Sequence, residues 1–208
     1  MHYDRILPVT YKYAGYALIG AAIFLCAFSA MPMKTAAYRL AGAADADVKV
    51  LGTSNLHDWT MEDKDVTCSA RFIYVPGKTV PTSLATFTFS FPVHSLTSGK
   101  SGMDSKAYDA LKAKNGGTIN FTATTSTITP GTDAAFRVKS DGNLTIAGVT
   151  KAVVINAACA VKTDGTVSCT GSNTLLMTDY QIKPPTYMLG TLRTGNKLTI
   201  DFTMVVKK

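Results

Sequence analysis

Charge is scarce in this chain: Asp, Glu, Lys and Arg make up 17% of 208 residues, with three histidines, four cysteines and a single tryptophan. His2, His57 and His94 are scattered, and no Cys-x-x-Cys or His-x-x-x-His spacing adds the neighbours that a zinc site requires. No Gly-x-Ser-x-Gly elbow presents a hydrolase nucleophile. His57 and Asp58 are adjacent, and neighbours on a strand point to opposite faces, so they do not form a base with its orienting acid. Glycine-rich phosphate loops, acidic metal clusters and interleaved basic and aromatic stripes are missing too. These absences argue against an enzyme or a nucleic-acid binder, and we assign no catalytic residue, cofactor or metal.

The net charge of +7 does not change that reading. Residues 1–40 hold Arg5, Lys12, Lys34 and Arg39 against Asp4, which is +3, and the +4 left for residues 41–208 is spread without a basic run. A mildly basic surface follows, with weak attraction to anionic headgroups.

Hydrophobic residues, by contrast, are 46% of the chain. The first concentration is the uncharged run from Tyr13 to Met33, preceded by Arg5 and Lys12. It has the composition of an export signal, and its length also matches the ~20 residues that a membrane-spanning helix needs. Ala27-Phe28-Ser29 and Ala41-Gly42-Ala43 both suit a signal peptidase. Cys26 follows Leu25 where a lipoprotein signal requires a small residue, so lipidation is not expected. Residues 1–43 are therefore read as a signal peptide or N-terminal anchor with a short linker, residues 44–208 as one domain, and the location as outside the cytoplasm.

From Val48 onward the pattern is that of antiparallel strands, rich in threonine and alternating in polarity. Ala85 to Phe91 is clearest: Phe87, Phe89 and Phe91 share one face, and Thr86, Thr88 and Ser90 the other. Ile119, Phe121 and Ala123 form a second such set, and Leu198, Ile200, Phe202 and Met204 a third. Further strands are expected over 66–75, 136–139, 142–146, 152–161 and 167–177, with turns at Pro76-Gly77, Pro130-Gly131, Asp141-Gly142, Asp164-Gly165 and Gly195-Asn196. In Leu144 to Lys151 the alternation breaks at Gly148 and resumes at once in Ala152 to Ile155, as where two wall strands meet. About eight strands with short connections give an all-β protein, an up-and-down antiparallel barrel with a two-sheet sandwich as its rival.

Two segments interrupt the strands. Met103, Ala107, Tyr108 and Leu111 recur at helical spacing, with Asp104 near the start and Gly116-Gly117 at the end, predicting a short amphipathic helix over the open end of the barrel. Thr178 to Asn196 contains Pro184-Pro185, which cannot continue a central strand, followed by Tyr187, Met188 and Leu189. These residues either tuck over the core or touch a ligand. Trp59 either plugs one end of the core or lines a cavity.

Cys159 and Cys169 flank a Thr163-Asp164-Gly165 loop that, with Gly165 left-handed, pairs 162 with 166 and therefore 159 with 169. Directly opposed cysteines in an exported protein predict a disulfide, with Cys68 left as a buried thiol.

Three segments resemble the bacterial YceI-like family of periplasmic, lipocalin-like, polyisoprenoid-binding proteins: Val50 to Trp59; Pro92-Val93-His94-Ser95-Leu96 with Met103-Asp104 and Ile119-Asn120-Phe121; and Leu144 to Lys151. The family's short serine-aspartate-phenylalanine-glycine stretch has no close match in Thr178-Asp179-Tyr180-Gln181. The resemblance implies a lipocalin-like barrel holding a long isoprenoid or other amphiphilic lipid, in transient contact with membranes. Alternation then nominates Phe72, Phe87, Phe89, Phe91, Phe121, Ile146, Val153, Ile155, Ile200 and Phe202 as walls of an apolar cavity, ordinary barrel packing being the other reading of each. A membrane-anchored envelope module with a filled barrel and no ligand is the alternative function.

Overall fold

The computed structural model describes residues 32–40, 45–114 and 116–208. The expected export segment lies outside them, and among the described residues no helix is long and apolar enough to cross a membrane. The strands are β1 (Lys34–Leu40), β2 (Ala46–Ser54), β3 (Trp59–Asp63), β4 (Thr67–Tyr74), β5 (Ser83–Pro92), β6 (Thr118–Pro130), β7 (Ala135–Ile146), β8 (Val149–Val161), β9 (Val167–Leu176), β10 (Thr186–Tyr187) and β11 (Leu192–Lys207). Among the described residues one α-helix, α1 (Ser101–Ala110), lies between β5 and β6, after a 3-10 turn at Val93–Ser95.

Every strand pairing is antiparallel, along the path β1-β4-β5-β6-β7-β8-β9-β11-β2-β3, and β1 also pairs with β11. β1 and β2 lie end to end along one edge of β11, Leu40 opposite Val206 and Ala46 opposite Met204. β3 and β4 continue one another beside them, pairing with β2 and β1 respectively. The wall is thus a closed eight-stranded barrel, which excludes the sandwich. β1 lies ahead of residue 44, where the sequence pattern begins the domain, and it buries Tyr38 in the core.

Two expected turns prove to be positions inside long strands. Asp141-Gly142 lies within β7, where the register of β6 shifts between Ala123 and Thr125. A Cβ at Gly142 would overlap the Phe121 ring and lie 2.5 Å from the Thr122 carbonyl oxygen, so glycine serves close approach there instead of chain reversal. Gly195-Asn196 lies within β11, at a register shift against β2 between Thr194 and Leu198. The other expected reversals form as read. Ala147 and Gly148, with φ of 51° and 80°, make a two-residue loop joining Ile146 to Val149. Lys162 N–H donates to Thr166 O at 2.8 Å, Gly165 has φ 82°, and Cys159 faces Cys169 in a disulfide with 4.1 Å between Cα atoms.

The two ends differ. At one, short connections after β4, β6 and β8 close a packed core. Phe72 meets Tyr38 and Phe136 edge-to-face at 5.4 and 6.1 Å, and the Tyr38 and Tyr74 hydroxyls are 2.9 Å apart. Cys68 is buried among them, and burial pushes its thiol up to about 12. The other end carries α1 and the irregular chain from Met177 to Thr191.

Candidate functional site

Beneath that second end lies an apolar cavity of about 430 Å³. Its size falls in the ordinary range for small-molecule pockets, and its wall is built by strand alternation. From β5 come Phe87, Phe89 and Phe91; from β7 and β8, Leu144, Ile146 and Ile155; from β11, Leu198, Ile200, Phe202 and Met204. Seven of the ten nominated residues therefore meet in one cavity: Phe87, Phe89, Phe91, Ile146, Ile155, Ile200 and Phe202.

The other three sit elsewhere. Phe121 is buried behind the wall, its ring stacked on Phe89 at 5.4 Å and tilted against Phe87 at 5.6 Å, so it supports lining residues without lining the space. Phe72 belongs to a separate hollow of about 40 Å³ in the packed end, together with Cys68 and the disulfide. Val153 packs partly buried against the core opposite Gly142 and reaches neither space.

Both lids contribute. Asp104 holds the approach to α1 by accepting hydrogen bonds from the Ser98 N–H at 2.7 Å and the Ser98 hydroxyl at 2.6 Å. Met103, Ala107 and Leu111 then face the cavity as their spacing predicts. Tyr108 does not: its ring stacks on His94 at 4.6 Å, and its hydroxyl donates to the Leu96 carbonyl at 2.9 Å. The helix ends with Lys112 left-handed at φ 57°, ahead of the expected stop at Gly116.

The second lid is partly ordered by backbone pairing. Thr186 and Tyr187 pair with Arg193 and Leu192, and Pro185, Tyr187 and Leu192 close the mouth. In the stretch that departs from the family pattern, Met177–Tyr180 forms a 3-10 turn, and Gln181 takes φ 57°, a conformation glycine adopts without strain. Met177 and Tyr180 line the cavity from this turn. The Tyr180 hydroxyl is buried with no hydrogen-bond partner among the described residues, and burial holds its pKa above the ordinary phenol value.

Polar lining is sparse: Ser54, His57, Lys100 and Thr194 come from loops and strand ends at the open end, and Asn173 and Tyr180 add an amide and a hydroxyl. His57 and Asp58 occupy the β2–β3 turn and not a strand, and the His57 ring bonds the Asp58 backbone oxygen at 2.8 Å, leaving the carboxylate out of the pair. Nor is His94 free to act, since its Nε2 bonds the Ala113 carbonyl at 2.6 Å. Trp59 proves to be cavity wall: its indole covers Gly52, its cross-strand partner, and Nε1–H donates to Thr53 O at 3.0 Å. Among the described residues no three His, Cys, Asp or Glu side chains gather as metal ligands. Such a site can enclose an apolar chain and leave a polar end at the mouth.

No curated protein matches the sequence significantly. Solved structures do share the fold. Burkholderia cenocepacia BcnA superposes with a TM-score of 0.60 at 16% identity, over 80% of this chain and 98% of that one. A polyisoprenoid binding domain from Saccharophagus degradans, implicated in plant cell wall breakdown, gives 0.60 at 12% identity, over 82% and 97%. The Campylobacter jejuni YCEI protein gives 0.54 at 18% identity, over 71% and 84%. The sequence model of the YceI-like domain matches residues 43–206, nearly the whole barrel, and the chain therefore belongs to the YceI-like family.

Proposed function

We propose that this protein binds a long-chain isoprenoid or similar amphiphilic lipid without chemical change, and carries or stores it in the bacterial periplasm through transient contact with membranes. The observation that carries the reading is the apolar cavity of about 430 Å³, with few polar groups in its lining and several of them from the open end. Each methylene moved from water into such a space gains about 0.8 kcal/mol. Exchange with a bilayer interior is then near neutral, while escape into water is costly, which suits a carrier. A structural module with a filled barrel is disfavoured by the same open space.

The polyisoprenoid-binding domain of similar fold supports the ligand class. The uncharged run from Tyr13 to Met33 and the disulfide support export to an oxidising compartment. Of the two candidate cleavage positions, Ala27-Phe28-Ser29 fits better, because cutting after Ala43 would strip β1 and the buried Tyr38 from the barrel.

Native mass spectrometry of the protein purified from its exporting cells, followed by lipid extraction, tests the reading. The expected result is a bound amphiphile that is lost in Ala107→Trp, whose indole would occupy the space beneath α1, with the strand signal in circular dichroism unchanged. Protein that carries no lipid and takes none up from vesicles containing polyprenyl phosphate would overturn it.

A further inference from the structure

The apolar residues after Pro184-Pro185 do something unexpected. Tyr187 tucks into the mouth, but Met188 and Leu189 turn outward, 79% and 109% exposed. Both hold left-handed backbone, φ 49° and 56°, which is unfavourable for side chains of their size. Nothing in a soluble barrel rewards that arrangement, since a polar residue or glycine would be more stable at either position. A third apolar tip, Leu56, stands 71% exposed on the adjoining β2–β3 turn. Asn55 ties the two loops together: its side chain donates to Thr191 O at 2.9 Å and accepts from the Arg193 N–H at 2.8 Å, and its own N–H donates to Arg193 O at 3.1 Å. The three tips are therefore held on one rim.

Charge on that rim is positive. Segments 54–58, 98–114 and 178–197 hold Lys100, Lys106, Lys112, Lys114, Lys183, Arg193 and Lys197 against Asp58, Asp104, Asp109 and Asp179. Asp104 is already engaged by Ser98. Apolar tips amid cations, around the opening of a cavity suited to lipid, match the chemistry of an anionic bilayer: headgroups meet the cations while the tips enter the acyl boundary. A protein partner would call for a flat or grooved apolar face, and the rim offers separate points.

We infer that the rim formed by Leu56, Met188 and Leu189 is a docking surface for anionic membranes, setting the mouth against the bilayer so that lipid passes without crossing water. The inference rests on the lipid-binding reading for its purpose, although the docking itself can be tested apart from cargo.

The test places a reporter on the rim of the full chain, so that any contact made by the N-terminal run cannot mimic it. Leu189→Trp in a Trp59→Phe background is mixed with vesicles whose acyl chains carry bromine, made of phosphatidylcholine alone or with about one quarter phosphatidylglycerol. Strong quenching on the anionic vesicles, weaker quenching on the neutral ones and loss of the difference in high salt are expected. In a second arm, Met188→Ser with Leu189→Gly should leave thermal stability equal or higher, because left-handed strain is relieved, and cut vesicle-dependent lipid uptake about tenfold or more. An unquenched reporter on both vesicle types overturns the inference and leaves a protein receptor as occupant; so does undiminished uptake by the double variant. Quenching by protein that carries and accepts no lipid upholds docking and instead defeats the carrier reading.

Discussion

Replacing Gly52 by alanine should detach the single tryptophan from its place in the cavity wall. Gly52 and Trp59 are paired across β2 and β3, and a Cβ at Gly52 would overlap the Cζ2, Cε2 and Cη2 atoms of the indole. The ring must rotate away, which breaks the 3.0 Å bond from Nε1 to Thr53 O. Losing that bond costs about 1 kcal/mol, and exposing part of a half-buried ring costs about 1–2 more. Alanine returns about 0.5–1 kcal/mol through its lower entropy in the unfolded chain. A net loss of about 1–2.5 kcal/mol remains, or roughly 2–10 °C in Tm for a protein of this size. Trp59 emission should move to the red in the same variant. The sign should reverse once the indole is gone: in a Trp59→Val background the atoms that a Gly52 Cβ would overlap are removed, so Gly52→Ala should become neutral or stabilising. Thermal denaturation of the four proteins forms a double-mutant cycle, and emission spectra compare the two that keep Trp59. Equal losses from Gly52→Ala with and without the indole would refute the account.

Three further outcomes follow from named contacts. Gly171→Ala should cost more than Gly52→Ala, because its Cβ would meet the Phe202 ring and also lie 2.5 Å from the Asn156 carbonyl oxygen, which is backbone and cannot swing aside; urea midpoints of the two variants give the comparison. Burial holds the Asp63 carboxyl above its ordinary value, against hydrogen bonds from the Ser95 hydroxyl and Asp65 N–H. A carboxyl raised in the folded state stabilises most below its unfolded pKa and loses that contribution as pH rises through the folded one, so wild-type stability minus that of Asp63→Asn should fall from about pH 4 upward, and a flat or rising difference would count against the burial argument. Cys159→Ser with Cys169→Ser should lower stability by about 2–3 kcal/mol in chemical denaturation, with the strand signal kept.

What the sequence reveals depends on whether a residue's job is local. Phe87, Phe89 and Phe91 are legible because alternation alone puts them on one face, and the disulfide is legible because a three-residue loop fixes which cysteines oppose. Gly142 and Gly195 are not, because chain reversal and the close approach of another strand select the same residue; Phe121 and Thr53, which explain them, come from elsewhere in the chain. Phe121 itself is misread for a related reason. Alternation identifies the inner face but not which inward ring borders open space, and stacking on Phe89 places Phe121 one layer back. The outward turn of Met188 and Leu189 is invisible beforehand, since composition marks them only as apolar.

The main cavity and the small hollow below it share four lining residues: Phe87, Ile155, Phe202 and Met204. The partition between them is made of side chains alone, and one member, Phe202, leans over the bare backbone of Gly171. The depth of the cavity thus turns on these four side chains: turning them toward the wall would join the lower hollow to the main space. For the proposed lipid, the stop would be graduated: its tail would reach the point where repacking Phe202 and Met204 costs more than burying the next methylene gains.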